Sequence, residues 1–138
     1  MPEATLTALG LLALRVGLGV ELAIHGWPKL KAPQGTAGFL TQIGFKPGIL
    51  WAWVLVLVEL LGGILLILGL LTRPVAALVA IQFLVISFYI KPGKMKVPFT
   101  TPQGAGWEWD WLILAMAVAL LLMGAGAFGL DGVLGLPL

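Results

Sequence analysis

The sequence has no cysteine and a single histidine, His25. Disulfides, thiolate metal sites, covalent haem attachment and dithiol redox chemistry are therefore excluded. A metal centre built from several histidines is excluded as well. Charge is also scarce. Only 10% of the 138 residues are Asp, Glu, Lys or Arg, against about 25% in a soluble globular domain. Eight basic and six acidic side chains cannot cover the surface of a chain that is 60% hydrophobic. A water-soluble globule is thus excluded, and a nucleic-acid-binding module with it. Disorder requires low hydrophobicity and high charge, and the mean hydropathy here is +1.08. The composition leaves an integral membrane protein, whose first partner is the lipid bilayer.

What the chain does have is long apolar runs. About 20 helical residues cross about 30 Å of hydrocarbon, and four stretches reach that length, at about 6–25, 49–71, 73–90 and 109–129. They are rich in Leu, Ala and Val and lack the ten-residue alternation of a membrane barrel. The first stretch has no basic start and carries Arg15 in its middle, unlike a signal peptide. The expected fold is all-α, a four-helix membrane bundle formed by residues 1–138 as one domain. Two longer loops lie on one side. Pro74 suits the first turn of the third helix, where a missing N–H costs nothing. Within the first long connection, Gly38–Phe45 fits a short interfacial helix. The second, KPGKMKVPFTTPQGAG, holds too much Pro and Gly for regular structure.

Lys29, Lys31, Lys46, Lys91, Lys94 and Lys96 fall on the side of the long loops, and only Arg73 falls on the other. Basic residues favour the cytoplasmic face, so the long loops are expected in the cytoplasm and both termini outside. Trp27, Trp51, Trp53, Trp107, Trp109 and Trp111 also gather at span ends on the lysine side, where an aromatic belt anchors helices.

Polar residues inside the spans are the functional candidates. Arg15 lies at the centre of the first span and Glu59 near the centre of the second. Either would cost about 2.5–3.5 kcal/mol facing lipid. Their similar depth suggests that they face each other, or a shared polar cavity. Glu21 and His25 fall on the same side of the first helix as Arg15 at about 100° per residue. Gly62 and Gly63 flank Glu59 and would let a backbone or a flat ligand approach, and Gln82 lies at mid-span in the third helix. Each residue also has a plainer reading. Arg15 and Glu59 form an ion pair that fixes helix register, and His25 caps the membrane edge. Glu108 and Asp110 place negative charge at a helix N-terminus.

These residues fall in a familiar order. Arg15 and Gly19 are followed by His25-Gly26-x-x-Lys29, then Glu59-x-x-Gly62-Gly63, then Leu68-Gly69-Leu70-Leu71-Thr72-Arg73. Glu108, Gly124-x-Gly126 and Asp131 close the series. Over nearly its whole length the chain resembles the DoxX family of small four-helix membrane proteins. The resemblance implies a bacterial or archaeal inner-membrane protein, similar to subunits of a membrane thiosulfate:quinone oxidoreductase. Other members look like membrane partners in thiol or oxidant-defence complexes. It adds Lys29 and Glu108 to the ligand-binding candidates.

These residues support two functions. In the first, the chain is a subunit of a redox complex, not catalytic alone, that contacts a quinone within the bundle. No covalent cofactor is expected. Arg15 would polarise a ring carbonyl, Glu59 would carry the proton, and Glu21 and His25 would lead to the aqueous edge. In the second, the chain is a non-catalytic accessory subunit that packs, as a partner or a homo-oligomer, in a larger respiratory, photosynthetic or transport complex. Small-residue seams at Ala76-x-x-x-Ala80 and Ala115-x-x-x-Ala119 would serve that role. A proton-coupled transporter ranks third, since the chain has no visible inverted repeat.

Overall fold

A computed structural model describes residues 1–104 and 106–137 and contains no strand among them. Helix α1 spans Glu3–Lys31, α2 Pro33–Gln42, α3 Gly48–Leu68 and α4 Thr72–Lys94. Helix α5 spans Glu108–Met123 and the short α6 Leu130–Val133. Three helices, α1, α3 and α4, are long and apolar enough to cross a membrane. The expected fourth span is shorter than the apolar run suggested. Helix α5 has 16 residues and so is about 24 Å long. It stops at Gly124, whose φ of +78° no helix accommodates. The all-helical class therefore stands, while three helices rather than four meet the length of a span.

Helix α1 runs six residues past its expected end, through Pro28. Proline lacks the donor for one helical bond, but tertiary contacts hold the turn together. Gly26 is buried against the backbone of Leu60, and Lys29 reaches the carboxylate of Glu59. Helix α2 begins at Pro33, earlier than the expected Gly38, because proline is favoured in a first helical turn. It packs on the start of α3, where Gly48 leaves room for the Ala37 carbonyl and the Thr41 hydroxyl. The turn between α3 and α4 lies at Gly69–Leu71, with both end residues left-handed, and Pro74 does fall in the first turn of α4.

The helices associate as two close pairs. Helix α1 lies along α3, and α4 along α5. In the first pair a Cβ on Gly19 would sit 2.5 Å from the Gly63 carbonyl, so the backbones touch. In the second, Ala76 and Ala117 are fully buried, and Arg73 Nη2 donates to the Leu122 carbonyl at 3.2 Å. The row of Ala115 and Ala119 does not form this contact. Ala115 is exposed and Ala119 half-buried, and Ala117 faces the partner helix instead. Leu18, Leu22, Leu66, Val79, Phe83, Ile113 and Leu120 fill the common core. The outer faces carry Leu57, Leu61, Ile64, Leu84, Leu112 and Leu122, all exposed. Hydrocarbon covers such faces at no cost.

Candidate functional site

Glu59 is 2% exposed and sits in a single π-helical turn, Leu57–Leu61, inside α3. A π turn inserts one residue into the helical ladder and re-aims the side chains around it. Glu59 Oε1 accepts a hydrogen bond from Gln82 Nε2 at 2.7 Å, and Oε2 forms an ion pair with Lys29. One carboxylate thus joins α1, α3 and α4. The Gln82 amide oxygen is buried without a partner.

A second ion pair lies at the same end of the molecule. Lys91 is in the π-helical last part of α4, Ile86–Lys94, and its ammonium is 2.6 Å from Asp110 Oδ2 in the first turn of α5. It also donates to the Gly106 carbonyl at 3.3 Å. In sequence Lys91 reads only as a topology signal and Asp110 as a helix-end charge. One signal does link them: they flank the second long loop, so an antiparallel α4–α5 pair brings them level.

Between the two helix pairs is a cavity of about 650 Å³. Both ion pairs contribute to its wall through Lys29, Glu59, Lys91 and Asp110, as do Gln82 and His25. The rest is apolar and aromatic, with Phe39 and Leu40 from α2, Trp51 and Val58 from α3, Ile81 and Ile86 from α4, and Trp109 and Ile113 from α5. Few polar groups in an apolar wall is the usual make-up of a small-molecule site, and the volume falls in its usual range of about 300–1,000 Å³.

The sequence candidates divide accordingly. Glu59, Gln82, Lys29 and His25 meet at this cavity. Glu21 stands beside it: its Oε1 lies 2.7 Å from His25 Nε2 and accepts from Trp109 Nε1 at 2.9 Å. His25 is exposed on the flank of α1, so the side of the helix that it shares with Arg15 does not point inward along its whole length. Gly62 and Gly63 are not part of the wall. Gly63 meets Gly19 and Ala23 of α1, and Gly62 faces Val75, so helix packing rather than a flat ring uses their missing side chains. Glu108 accepts from Thr100 Oγ1 at 3.3 Å and ties the loop to α5, away from the cavity.

Arg15 is separate from Glu59. It is fully buried, and Nη1 donates to the carbonyls of Leu66 at 3.2 Å and Ile67 at 3.1 Å, with Nη2 donating to Phe128 at 3.1 Å. Asp131, also buried, accepts from Leu71 N at 2.7 Å and Thr72 N at 2.9 Å. Its own N–H donates to the Gly69 carbonyl at 2.9 Å. Arg15 closes the C-terminus of α3 and Asp131 the N-terminus of α4, satisfying groups that helix ends leave open. This cluster secures the short-turn end.

The sequence model of the DoxX family matches residues 10–92. That is more than half of the chain, and it stops before Glu108, Gly124 and Asp131, short of the whole-length resemblance. The chain is 36% identical over 91 residues to the Bacillus subtilis (strain 168) protein named "Putative oxidoreductase CatD", covering 66% of this chain and 64% of that protein. It is 34% identical over 68 residues to "Inner membrane protein YphA" of Escherichia coli (strain K12), covering 49% of each. The matches thus span about half of one relative and just under two thirds of the other. No solved structure matches. With Arg15, Lys29, Glu59 and Gln82 all inside the matched segment, the chain belongs to the DoxX family of membrane proteins.

Proposed function

We propose that this chain is the quinone-contacting membrane subunit of a redox complex, with the ring held in the cavity beside Glu59. The observation that carries this reading is a buried carboxylate, held by Lys29 and Gln82, at the wall of an apolar cavity of about 650 Å³. A membrane quinone needs an apolar cleft and hydrogen-bonding groups at its oxygens. The Lys29 ammonium has three N–H donors, so it can serve a ring carbonyl while retaining Glu59. The free Gln82 oxygen accepts the O–H of the reduced ring. Reduction takes two electrons and two protons. The protons pass by way of Glu59 and Lys29, and a partner subunit supplies the electrons. The name of the Bacillus relative accords with an oxidoreductase role. In this reading α5 and the turn after it complete a fourth crossing, so the chain is a four-helix bundle. The lysine-rich loops face the cytoplasm.

The test uses the fluorescence of Trp51 and Trp109, both in the cavity wall. A benzoquinone titrated into the purified protein in lipid nanodiscs should quench it saturably. Lys29→Met combined with Glu59→Gln, which removes the donor to the ring carbonyl without stranding a buried charge, should weaken binding by about tenfold, the effect of one lost hydrogen bond from a charged group. Binding unchanged by Lys29→Met/Glu59→Gln would overturn the assignment.

A second reading, the accessory subunit, is favoured by the outward position of Ala115 on α5, with Ala119 half-buried one turn further on. That row is free to take another helix. Isolation of the protein from its native membrane as a monomer, with no partner at mild detergent concentrations, would remove it.

A further inference from the structure

The cavity has a flank unlike the rest of its wall. Between α3 and α4 the lining residues are Val54, Leu55, Val58, Leu78 and Ile81, all apolar. Leu78 is 54% and Ile81 61% exposed although both line the cavity, so they form its rim. The rim lies at the mid-length of α3 and α4. Val58 and Ile81 directly precede Glu59 and Gln82, which are hydrogen-bonded to each other near the centres of their helices. The opening therefore meets hydrocarbon, away from the headgroups. Its cause is the pairing of the helices: glycines draw α1 onto α3, and α4 packs along α5, leaving α3 and α4 in looser contact.

We infer, resting on the quinone reading of this same cavity, that the cleft between α3 and α4 holds the long apolar tail of a membrane-dissolved quinone, whose ring enters from the bilayer and rests at Glu59 and Gln82. A ring and its first tail carbons fill the cavity volume, and the remaining tail leaves between Val58 and Ile81. A phospholipid suits the cleft less well. Its charged headgroup would have to leave the interface for mid-depth, which is costly, whereas a neutral ring carries no such cost.

The experiment compares a tailless benzoquinone with the same ring bearing a ten-carbon tail, by tryptophan quenching in nanodiscs. The variant Leu78→Phe/Ile81→Phe fills the rim with larger side chains at exposed positions that carry no core packing. Leu84→Phe, on the same helix but outside the cavity wall, is the control. The rim variant should weaken binding of the tailed quinone by about tenfold and leave the tailless ring within about twofold. The control should change neither. Equal loss for both quinones, or loss for neither, overturns the tail site and leaves the ring site standing. Failure of the unaltered protein to bind either quinone overturns the quinone reading itself. A co-purified phospholipid that the tailed quinone cannot displace overturns the tail site too.

Discussion

Arg15 of α1 and Glu59 of α3 lie on closely packed neighbouring helices but bind at different levels along them. Gly26 rests on Leu60, so Arg15, eleven residues earlier on α1, is about 16 Å along the axis from that level. There it meets Leu66 and Ile67 at the end of α3. The stagger gives each charge its own task. Arg15 joins the helix ends at the short turn, while Glu59 is held by Lys29 and Gln82 at the cavity.

Substitution of Arg15 should therefore affect stability and spare binding. Arg15→Leu removes three charge-assisted hydrogen bonds. Such bonds contribute about 1.5–3 kcal/mol each, the same change removes the cost of burying the guanidinium, and a net loss of about 2–4 kcal/mol is expected. Arg15→Lys should also lose stability, because a single ammonium cannot replace a planar fork that reaches carbonyls on two segments. Thermal unfolding in detergent reads the loss, and quinone affinity of the folded fraction should stay constant. Reduced affinity with unaltered stability would show that Arg15 acts at the cavity after all.

The Lys29–Glu59 pair should show strong coupling. Lys29→Met leaves Glu59, 2% exposed, with Gln82 as its remaining side-chain partner. Removing one member of a buried pair is costly, about 3–5 kcal/mol when both are fully enclosed. Lys29 is 26% exposed, so about 1–3 kcal/mol is expected here. Adding Glu59→Gln should restore much of it, since the stranded charge disappears. Additive losses in the double variant would mean that the two groups do not interact.

Much of the fold is legible from apolar run length, because a helix in hydrocarbon must satisfy its own backbone. Run length marks the three long helices, polarity within them marks Glu59, Gln82 and His25, and the resemblance adds Lys29. Depth is not legible. Placing Arg15 opposite Glu59 assumes that span centres align, whereas α1 and α3 are staggered by close contacts at Gly19, Gly26 and Gly63 that no run length encodes. The role of Gly62 and Gly63 is open in the sequence for the same reason, since a missing side chain admits a helix as readily as a ligand. Lys91 and Asp110 are visible there only as separate charges, and the α4–α5 pairing is what makes them a site.

The glycine contacts lead to a contrast between three alanine substitutions. A Cβ at Gly63 would lie 2.6 Å from the Gly19 carbonyl and 2.9 Å from Ala23 N. Both are backbone atoms, so α1 and α3 must separate, and a loss of about 1–3 kcal/mol is expected. At Gly62 the nearest atom is the Val75 side chain at 3.2 Å, and a small shift suffices. At Gly17 nothing lies within 4 Å, and alanine should be neutral or stabilise by up to about 1 kcal/mol. Thermal unfolding should rank them Gly17→Ala above Gly62→Ala above Gly63→Ala. Equal stabilities would mean that α1 and α3 are not held by backbone contact.

Sidedness is open to a clean test because the chain has no cysteine of its own. Gln103→Cys places a thiol in the loop between α4 and α5, and Gly132→Cys places one near the C-terminal end, with open space around it. Six lysines at the loop end against one arginine at the other favour a cytoplasmic loop. A membrane-impermeant maleimide should therefore label Gly132→Cys on intact cells, and Gln103→Cys only after permeabilisation. That pattern would put the polar end of the cavity, with Lys91 and Asp110, on the cytoplasmic side. Protons for a quinone at Glu59 would then come from the cytoplasm, and the electron-donating partner would dock on the lysine-rich loops. The opposite labelling would move both the proton source and the partner to the outer face.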